Sequence, residues 1–305
     1  MKVGFLNDFS LSDFQGGATL SNELMIIKGK ELGYQIDEYT PKIDEYTPKT
    51  LEPRLMNLLS SYDLLILSNI NSFPTEVIEW IIKNTKYIKY EHDYSFCKYR
   101  SAQCEEKCKG KLCIPAKIFV DLYSNSLLNI FFSPLQLDIY RKFFGETMRD
   151  SIVIPAPMEK DKFYPDKNVQ HDAYLFAGMI ATHKGIHQIL DFADSNKKKI
   201  FHFAGKPINK DAMERIKKNH IYLGEIPHNE MPRLLRKYKY FIINPMMPET
   251  YGLSILEAVA SGCSIIRFPK SHQTGLESYN KSPLLMIKES IDAPNKFWEE
   301  VEKII

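Results

Sequence analysis

Short apolar runs alternate with helix-length amphipathic segments along most of this chain, and that alternation limits the fold more than any other feature. Parallel strands need crossovers of a dozen or more residues, usually helices, so the pattern predicts an α/β protein built on parallel sheets. In the first half the expected strands are Val3–Asn7, Leu64–Ser68, Tyr87–Glu91 and Ser151–Pro155, with helices over Thr19–Leu32 and Thr75–Asn84. Pro155, Pro157 and the polar stretch from Glu159 to Gln170 read as a linker. The alternation then restarts. Strands are expected at Ala173–Gly178, Lys199–Gly205, Ile221–Leu223, Tyr240–Asn244 and Ser264–Phe268, and helices at Ile186–Ala193, Asp211–Asn219, Asn229–Lys237 and Ser254–Ala260. A last helix is expected over Ala293–Ile304. Two units of ordinary domain size fit comfortably in 305 residues.

Composition narrows function by exclusion. With 40 basic against 38 acidic residues and a net charge of +2, no bulk field draws the chain to nucleic acid. No apolar run reaches the ~18 residues that span a bilayer, and MKVGFLNDF reads as a strand rather than a secretory leader. The expectation is a cytoplasmic protein. Its basic segment from Arg141 to Arg149, interleaved with Phe143 and Phe144, fits either a solvated helix or a peripheral contact with an anionic membrane. The tandem copy IDEYTPKIDEYTPK at residues 36–49 is too short a repeat to stack a core, and reads as a duplicated surface connection after the second strand. No G-x-G-x-x-G or Walker loop occurs, which argues against dehydrogenases and P-loop NTPases.

The stretch PETYGLSILEAVASG, residues 248–262, sets Glu249 and Glu257 beside a helix start with seven residues between them. Ser254-Ile-Leu-Glu257 fits a capping box, in which the glutamate reaches back to the serine backbone. The same segment fits a ligand site. Glu249 follows an expected strand, and ligands of open α/β sheets bind outside the carboxyl ends of strands. The helix after it would present unpaired amides and a partial positive charge, which suit a phosphate.

Glu249-TYGLSIL-Glu257, followed by Ala258 and Gly262, resembles the E-x7-E signature of GT-B glycosyltransferases of the family 4 type, the glycosyl transferases group 1. Tyr174-Leu-Phe-Ala-Gly178 with Lys184-Gly185, Phe203-Ala-Gly205, Tyr222-Leu-Gly224, and Ile154-Pro-Ala-Pro-Met leading to Phe163-Tyr-Pro165 resemble other segments of that family. Gly16-Gly17 and His92-Asp93 stand where the family places such residues in its N-terminal half. The resemblance implies an α/β protein of GT-B type, with two Rossmann-like α/β/α domains facing across a cleft. An acceptor-side domain would cover 1–157, with a cysteine-bearing loop at 97–113; a nucleotide-sugar domain would cover 158–290. A helix over 291–305 would pack back on the first domain.

The activity implied is that of a retaining, metal-independent glycosyltransferase of hexosyltransferase type. It would need no cofactor, take a UDP- or GDP-sugar as donor, and transfer to a glycan, lipid or protein that the sequence does not name. By position, Glu249 would contact the donor sugar, Lys184 would neutralise the leaving diphosphate, and His92 would line the reacting centre. Glu257 would hydrogen-bond the ribose hydroxyls, while Gly17, Gly178 and the backbone at Tyr251, Gly252 and Leu253 would seat the sugar and diphosphate. Two positions depart from the family pattern: Met179 replaces its usual arginine and Met246 its usual serine. The first change removes a phosphate-facing cation. It keeps a rival reading open, a nucleotide-sugar-binding scaffold or partner subunit with weak or no catalysis.

Cys97, Cys104, Cys108 and Cys113 form C-x6-C-x3-C-x4-C shortly after His92-Asp93. The spacing fits a structural zinc clamp, disulfides or free thiols; a metal there would stiffen the loop and take no part in the chemistry. Asp93 is a second candidate for acceptor activation, and Asp8, ending the first strand, is another acid expected at the cleft edge.

Overall fold

The computed structural model describes residues 1–13, 16–41, 53–98, 100, 102, 116–166 and 171–305. It divides into two compact units, Met1–Met158 with Glu289–Ile305, and Glu159–Lys288.

In unit 1, β1 (Lys2–Leu6), β2 (Gln35–Tyr39), β3 (Leu64–Leu67), β4 (Tyr87–Glu91), β5 (Asn129–Phe131) and β6 (Ser151–Val153) form a parallel sheet ordered β2-β1-β3-β4-β5-β6 among the described residues. The described helices α1 (Gly17–Glu31), α2 (Pro53–Ser60), α3 (Thr75–Asn84), α4 (Lys117–Asn125) and α5 (Pro134–Phe144) alternate with the strands. β3 reads Leu-Leu-Ile-Leu with every residue buried, as expected of a parallel strand covered on both faces. Its core continues through Val77, Ile81, Tyr123, Phe131 and Tyr140.

Three expectations change here. The first copy of the repeat is not a surface connection: Ile36–Tyr39 lies within edge strand β2, in register with Val3–Leu6. Ile36 is buried and Tyr39 packs on the core, so tertiary packing recruits a segment whose polar Asp37 and Glu38 disguise it. The rest of the repeat, 42–49, lies outside the described residues. β5 was not expected, because three residues of Asn-Ile-Phe carry too little periodicity. In the basic segment, Phe144 is buried and Phe143 packs on Phe96 at 4.7 Å between rings, so both rings turn inward. No helix among the described residues is long and apolar enough to cross a membrane.

In unit 2, β7 (His171–Ala177), β8 (Ile200–Ala204), β9 (Ile221–Gly224), β10 (Tyr238–Ile243) and β11 (Ser264–Arg267) form a second parallel sheet, ordered β11-β10-β7-β8-β9. With it go α6 (Ile186–Ser195), α7 (Lys210–Asn219), α8 (Met231–Leu235), α9 (Leu253–Ala260) and α10 (Gly275–Ser278). The chain runs outward through β7, β8 and β9, then returns to the opposite side of β7 for β10 and β11. The strand order therefore reverses between β7 and β10. In an open α/β sheet, loops after the strands part at such a reversal and leave room for a ligand.

The last helix, α11 (Pro283–Glu302), starts in unit 2 and ends in unit 1. Within unit 1 its Trp298 is fully buried, donates its indole N–H to Met25 O at 2.8 Å and stacks on Tyr34 at 4.9 Å. The indole lies so close to α1 that a Cβ on Gly29 would come within 2.3 Å of it; only glycine fits. Trp298→Ala is expected to cost about 3–5 kcal/mol of stability by cavity formation. Trp80, the remaining tryptophan, reports on the same unit, so the urea midpoint followed by its fluorescence should fall clearly; an unchanged midpoint would contradict this packing.

Candidate active site

The reversal in unit 2 brings two loops together at the carboxyl edge of the sheet. After β7 the chain makes a short 3-10 turn, Thr182–Lys184, and ends it on Gly185 at φ 70°. A side chain at Gly185 would strike Asn244 O at 2.0 Å, so the loop after β7 presses directly on the end of β10. Met246 N donates to His183 O at 3.0 Å and ties the loops further. The segment around Glu249 is fixed by its own backbone: Gly275 N donates to Glu249 O and Leu276 N to Tyr251 O, both at 2.8 Å.

Between these loops the side chains of Lys184 and Glu249 form an ion pair. Neither is deeply buried, with side-chain exposures of 30% and 16%, so each remains reachable. Helix α9 opens beside them on Gly252 at φ 100°, without a side-chain cap. An uncapped first turn offers backbone amides to an anion. Tyr251 is buried, Leu253 is the first helical residue, and Gly178 follows β7 with its N–H on Ala204 O at 3.0 Å. Met179 is 38% exposed.

The capping box expected for Glu257 does not form. The helix begins two residues earlier than that motif needs, so Glu257 is its fifth residue and Ser254 its second. The carboxylate is buried, and its Oε1 meets His228 Nε2 at 2.7 Å. His228 starts a 3-10 turn after Pro227, in the loop between β9 and α8. Nothing in the spacing announced this partner, since 29 residues separate the pair and only the fold joins them.

In unit 1, Gly17 is the first residue of α1, with no atom of the described residues beyond its chain neighbours and its own helix within 4 Å of where its Cβ would stand. His92 follows β4 and is buried, its Nε2 on Asn22 Oδ1 at 2.8 Å. Asn22 in turn donates to Asn7 Oδ1 at 2.7 Å and to Ser68 Oγ at 2.9 Å. These partners follow β1 and β3, on either side of that sheet's own reversal. Beneath them Lys89 and Glu91 make a fully buried pair at 2.9 Å, with Lys89 also on Ser68 O at 2.7 Å and Tyr123 O–H on the carboxylate. Burial pulls Lys89 below the ordinary lysine pKa, an effect the Glu91 charge opposes. Burial, aided by the Lys89 charge, holds His92 well below the usual histidine value, so its imidazole is neutral near pH 7.

Asp8 and Asp93 are tied into the structure. Asp8 accepts from the backbone N–H of Asn71 at 3.2 Å and of Ser72 at 2.8 Å, and Asp93 pairs with Arg100. Of the clustered cysteines Cys97 is buried, while Cys104, Cys108 and Cys113 lie outside the described residues. Among the described residues no group of three His, Cys, Asp or Glu side chains could hold a metal ion.

A histidine kept neutral in the fold takes up a proton on unfolding, so its contribution is present above about pH 6.5 and lost as pH falls below it. Unfolding free energy measured from pH 7.5 down to 5 should therefore drop more steeply for the native protein than for His92→Gln, by up to about 1.4 kcal/mol per pH unit. Equal slopes would mean that His92 titrates normally.

Residues 157–292 match the family model described as glycosyl transferases group 1, a segment that contains all of unit 2. Among solved structures, the chain is similar to Anabaena HepE in complex with UDP and glucose, at 13% identity and TM-score 0.70 over 100% of both chains. It is similar also to AviGT4, a glycosyltransferase involved in avilamycin A biosynthesis, at 14% identity and TM-score 0.62 over 99% of this chain and 97% of that one. Sucrose-phosphate synthase from Thermosynechococcus elongatus matches at 14% identity and TM-score 0.66 over 96% and 93%. No curated protein matches the sequence. At these identities the likeness to solved structures is one of fold. The chain has the GT-B fold of two parallel-sheet units, and its second unit carries the pattern of the glycosyl transferases group 1.

Proposed function

We propose that this protein is a retaining glycosyltransferase, of the family 4 type, that moves a sugar from a UDP- or GDP-sugar to an acceptor without a catalytic metal. The observation that carries the reading is the Lys184–Glu249 pair at the strand-order reversal, next to the uncapped start of α9. The family match over unit 2 supports it, as does the UDP in the complex of the similar Anabaena protein.

Without donor, Lys184 and Glu249 satisfy each other. A diphosphate is the stronger partner for the ammonium, with several anionic oxygens in place of one carboxylate. Its arrival draws Lys184 toward phosphate and frees Glu249 to accept a hydroxyl of the donor sugar. Glu257 accepts from the ribose, and the backbone at Gly178, Tyr251, Gly252 and Leu253 seats the diphosphate and sugar. When the bond from the anomeric carbon to the phosphate oxygen breaks, negative charge grows on the leaving diphosphate. A fixed cation and helix amides stabilise that charge with no reorganisation, which is the role a metal fills in other enzymes. The roles of Gly17 and His92 at the reacting centre, and the retention of configuration, rest on the family resemblance.

Met179 favours a second reading. It stands half-exposed where the family has an arginine, so a cation worth about 3 kcal/mol at the transition state is missing from that position. On this reading the chain binds a nucleotide sugar as a scaffold or partner subunit. One experiment separates the two. With UDP-, GDP- and ADP-sugars and a panel of glycan and lipid acceptors, the glycosyltransferase releases nucleoside diphosphate, and the product keeps the donor's anomeric configuration by NMR. Glu249→Ala should lower that rate by about a hundredfold or more while leaving the circular dichroism unchanged. Binding without turnover selects the scaffold; a near-normal rate in Glu249→Ala removes the site assignment.

A further inference from the structure

Glu257 is buried, yet the described residues satisfy only one of its two carboxylate oxygens: Oε1 meets His228, and Oε2 has no protein donor among them. Oε2 reaches solvent at the site rather than being sealed in, so it can accept from a ligand hydroxyl in place of water. That open oxygen, at the edge of an otherwise buried carboxylate, marks where a hydroxyl-bearing ligand can donate.

The partner on the satisfied side is itself held. Lys162 Nζ approaches His228 Nδ1 at 3.5 Å and is anchored in turn by Glu159. An ammonium only donates, so Nδ1 must accept, and the ring proton must sit on Nε2. That is the tautomer that donates to Glu257. Phe163 packs against the imidazole at 5.9 Å between centroids and limits its rotation. The series Glu159, Lys162, His228 and Glu257 thus delivers one proton to one chosen oxygen. Because χ angles of a glutamate rotate freely otherwise, fixing Oε1 fixes where Oε2 points.

We infer that His228 is a positioning residue for ribose recognition: it clamps Oε1 of Glu257, with Lys162 setting its tautomer, so that Oε2 is aimed at the ribose hydroxyls of the donor nucleotide. This rests on the reading of Glu257 as the ribose-binding acid. The clamp acts through the ribose alone. Loss of His228 weakens a nucleotide that has the hydroxyls and leaves one without them nearly untouched, whereas a merely structural pair would weaken both alike.

The test is calorimetric titration of the full chain with UDP and GDP, each beside its 2′,3′-dideoxy form. The native protein is expected to prefer the ribonucleotide by about tenfold, the value of one charge-assisted hydrogen bond. His228→Ala should erase most of that preference while binding the dideoxy nucleotide as the native protein does, which also shows that the variant is folded. His228→Gln, whose amide can donate to Oε1, should restore most of it. Glu257→Ala separates the inference from the reading beneath it. If Glu257→Ala loses the preference and His228→Ala keeps it, the positioning role is wrong. If Glu257→Ala keeps the preference, or neither nucleotide binds the native protein, the ribose assignment falls and the inference with it. Equal weakening of both nucleotide forms in His228→Ala also overturns the proposal, because the pair is then only structural.

Discussion

In a parallel sheet every loop that follows a strand emerges at the same edge, and where strand order reverses two of those loops diverge. Unit 2 reverses between β7 and β10, and the two loops that leave the sheet there, held in contact at their bases, carry Lys184 and Glu249. The site depends on this reversal. It sets a cation from one loop against an acid from the other, although 65 residues separate them in sequence. Gly185, pressed against Asn244 O where no side chain fits, keeps the loops in contact rather than merely near. The short pairing of residues 249–251 with 274–276 then fixes the backbone that carries the acid.

Electrostatics divides the two units into different kinds of polar cluster. In unit 2 Lys184 and Glu249 are partly exposed and exchangeable, as a binding site for an anion requires. In unit 1 Lys89, Glu91 and Tyr123 are buried and bonded to one another, with buried His92 held beside them by Asn22. Burial holds the Tyr123 hydroxyl protonated and His92 neutral. A network of this sort rigidifies the end of β4 and fixes the ring orientation of His92 through Asn22. Burying the Lys89–Glu91 pair carries a desolvation cost that several hydrogen bonds must offset, which is why Ser68 O, Ser95 and Tyr123 all converge on it.

Much of the architecture was legible because it is written locally. The Leu64–Leu67 run, the β4 strand and the 75–84 helix appear in the structure almost residue for residue. The glutamate spacing and Lys184-Gly185 were legible for the same reason, each motif being one loop and one helix start, and the structure pairs Lys184 with Glu249 at the carboxyl edge of the second sheet. What stayed hidden is tertiary. Ile36–Tyr39 is a strand only because β1 pairs with it, and its alternation of polar residues suits an edge position that local reading took for a loop. The capping box with Ser254, one of two readings of Glu257, fails because the helix starts two residues too early. Its actual partner, a histidine on another loop, cannot be read from a local motif. Asn7, Asn22 and Ser68 went unnoticed for that reason too: each is an ordinary polar residue until three elements bring them to His92.

The claim beneath this account is that the strand-order reversal of unit 2 is a nucleoside-diphosphate site built around Lys184. Ligand that binds only the folded state raises stability by about 2.7 kcal/mol at a hundred times its dissociation constant. The direct measurement is the melting temperature of the native protein and of Lys184→Met with millimolar UDP, GDP and ADP. The account predicts that UDP or GDP raises the native melting temperature by several degrees, and that Lys184→Met loses most of that rise. No shift with any of the three, or an undiminished shift in Lys184→Met, would contradict it.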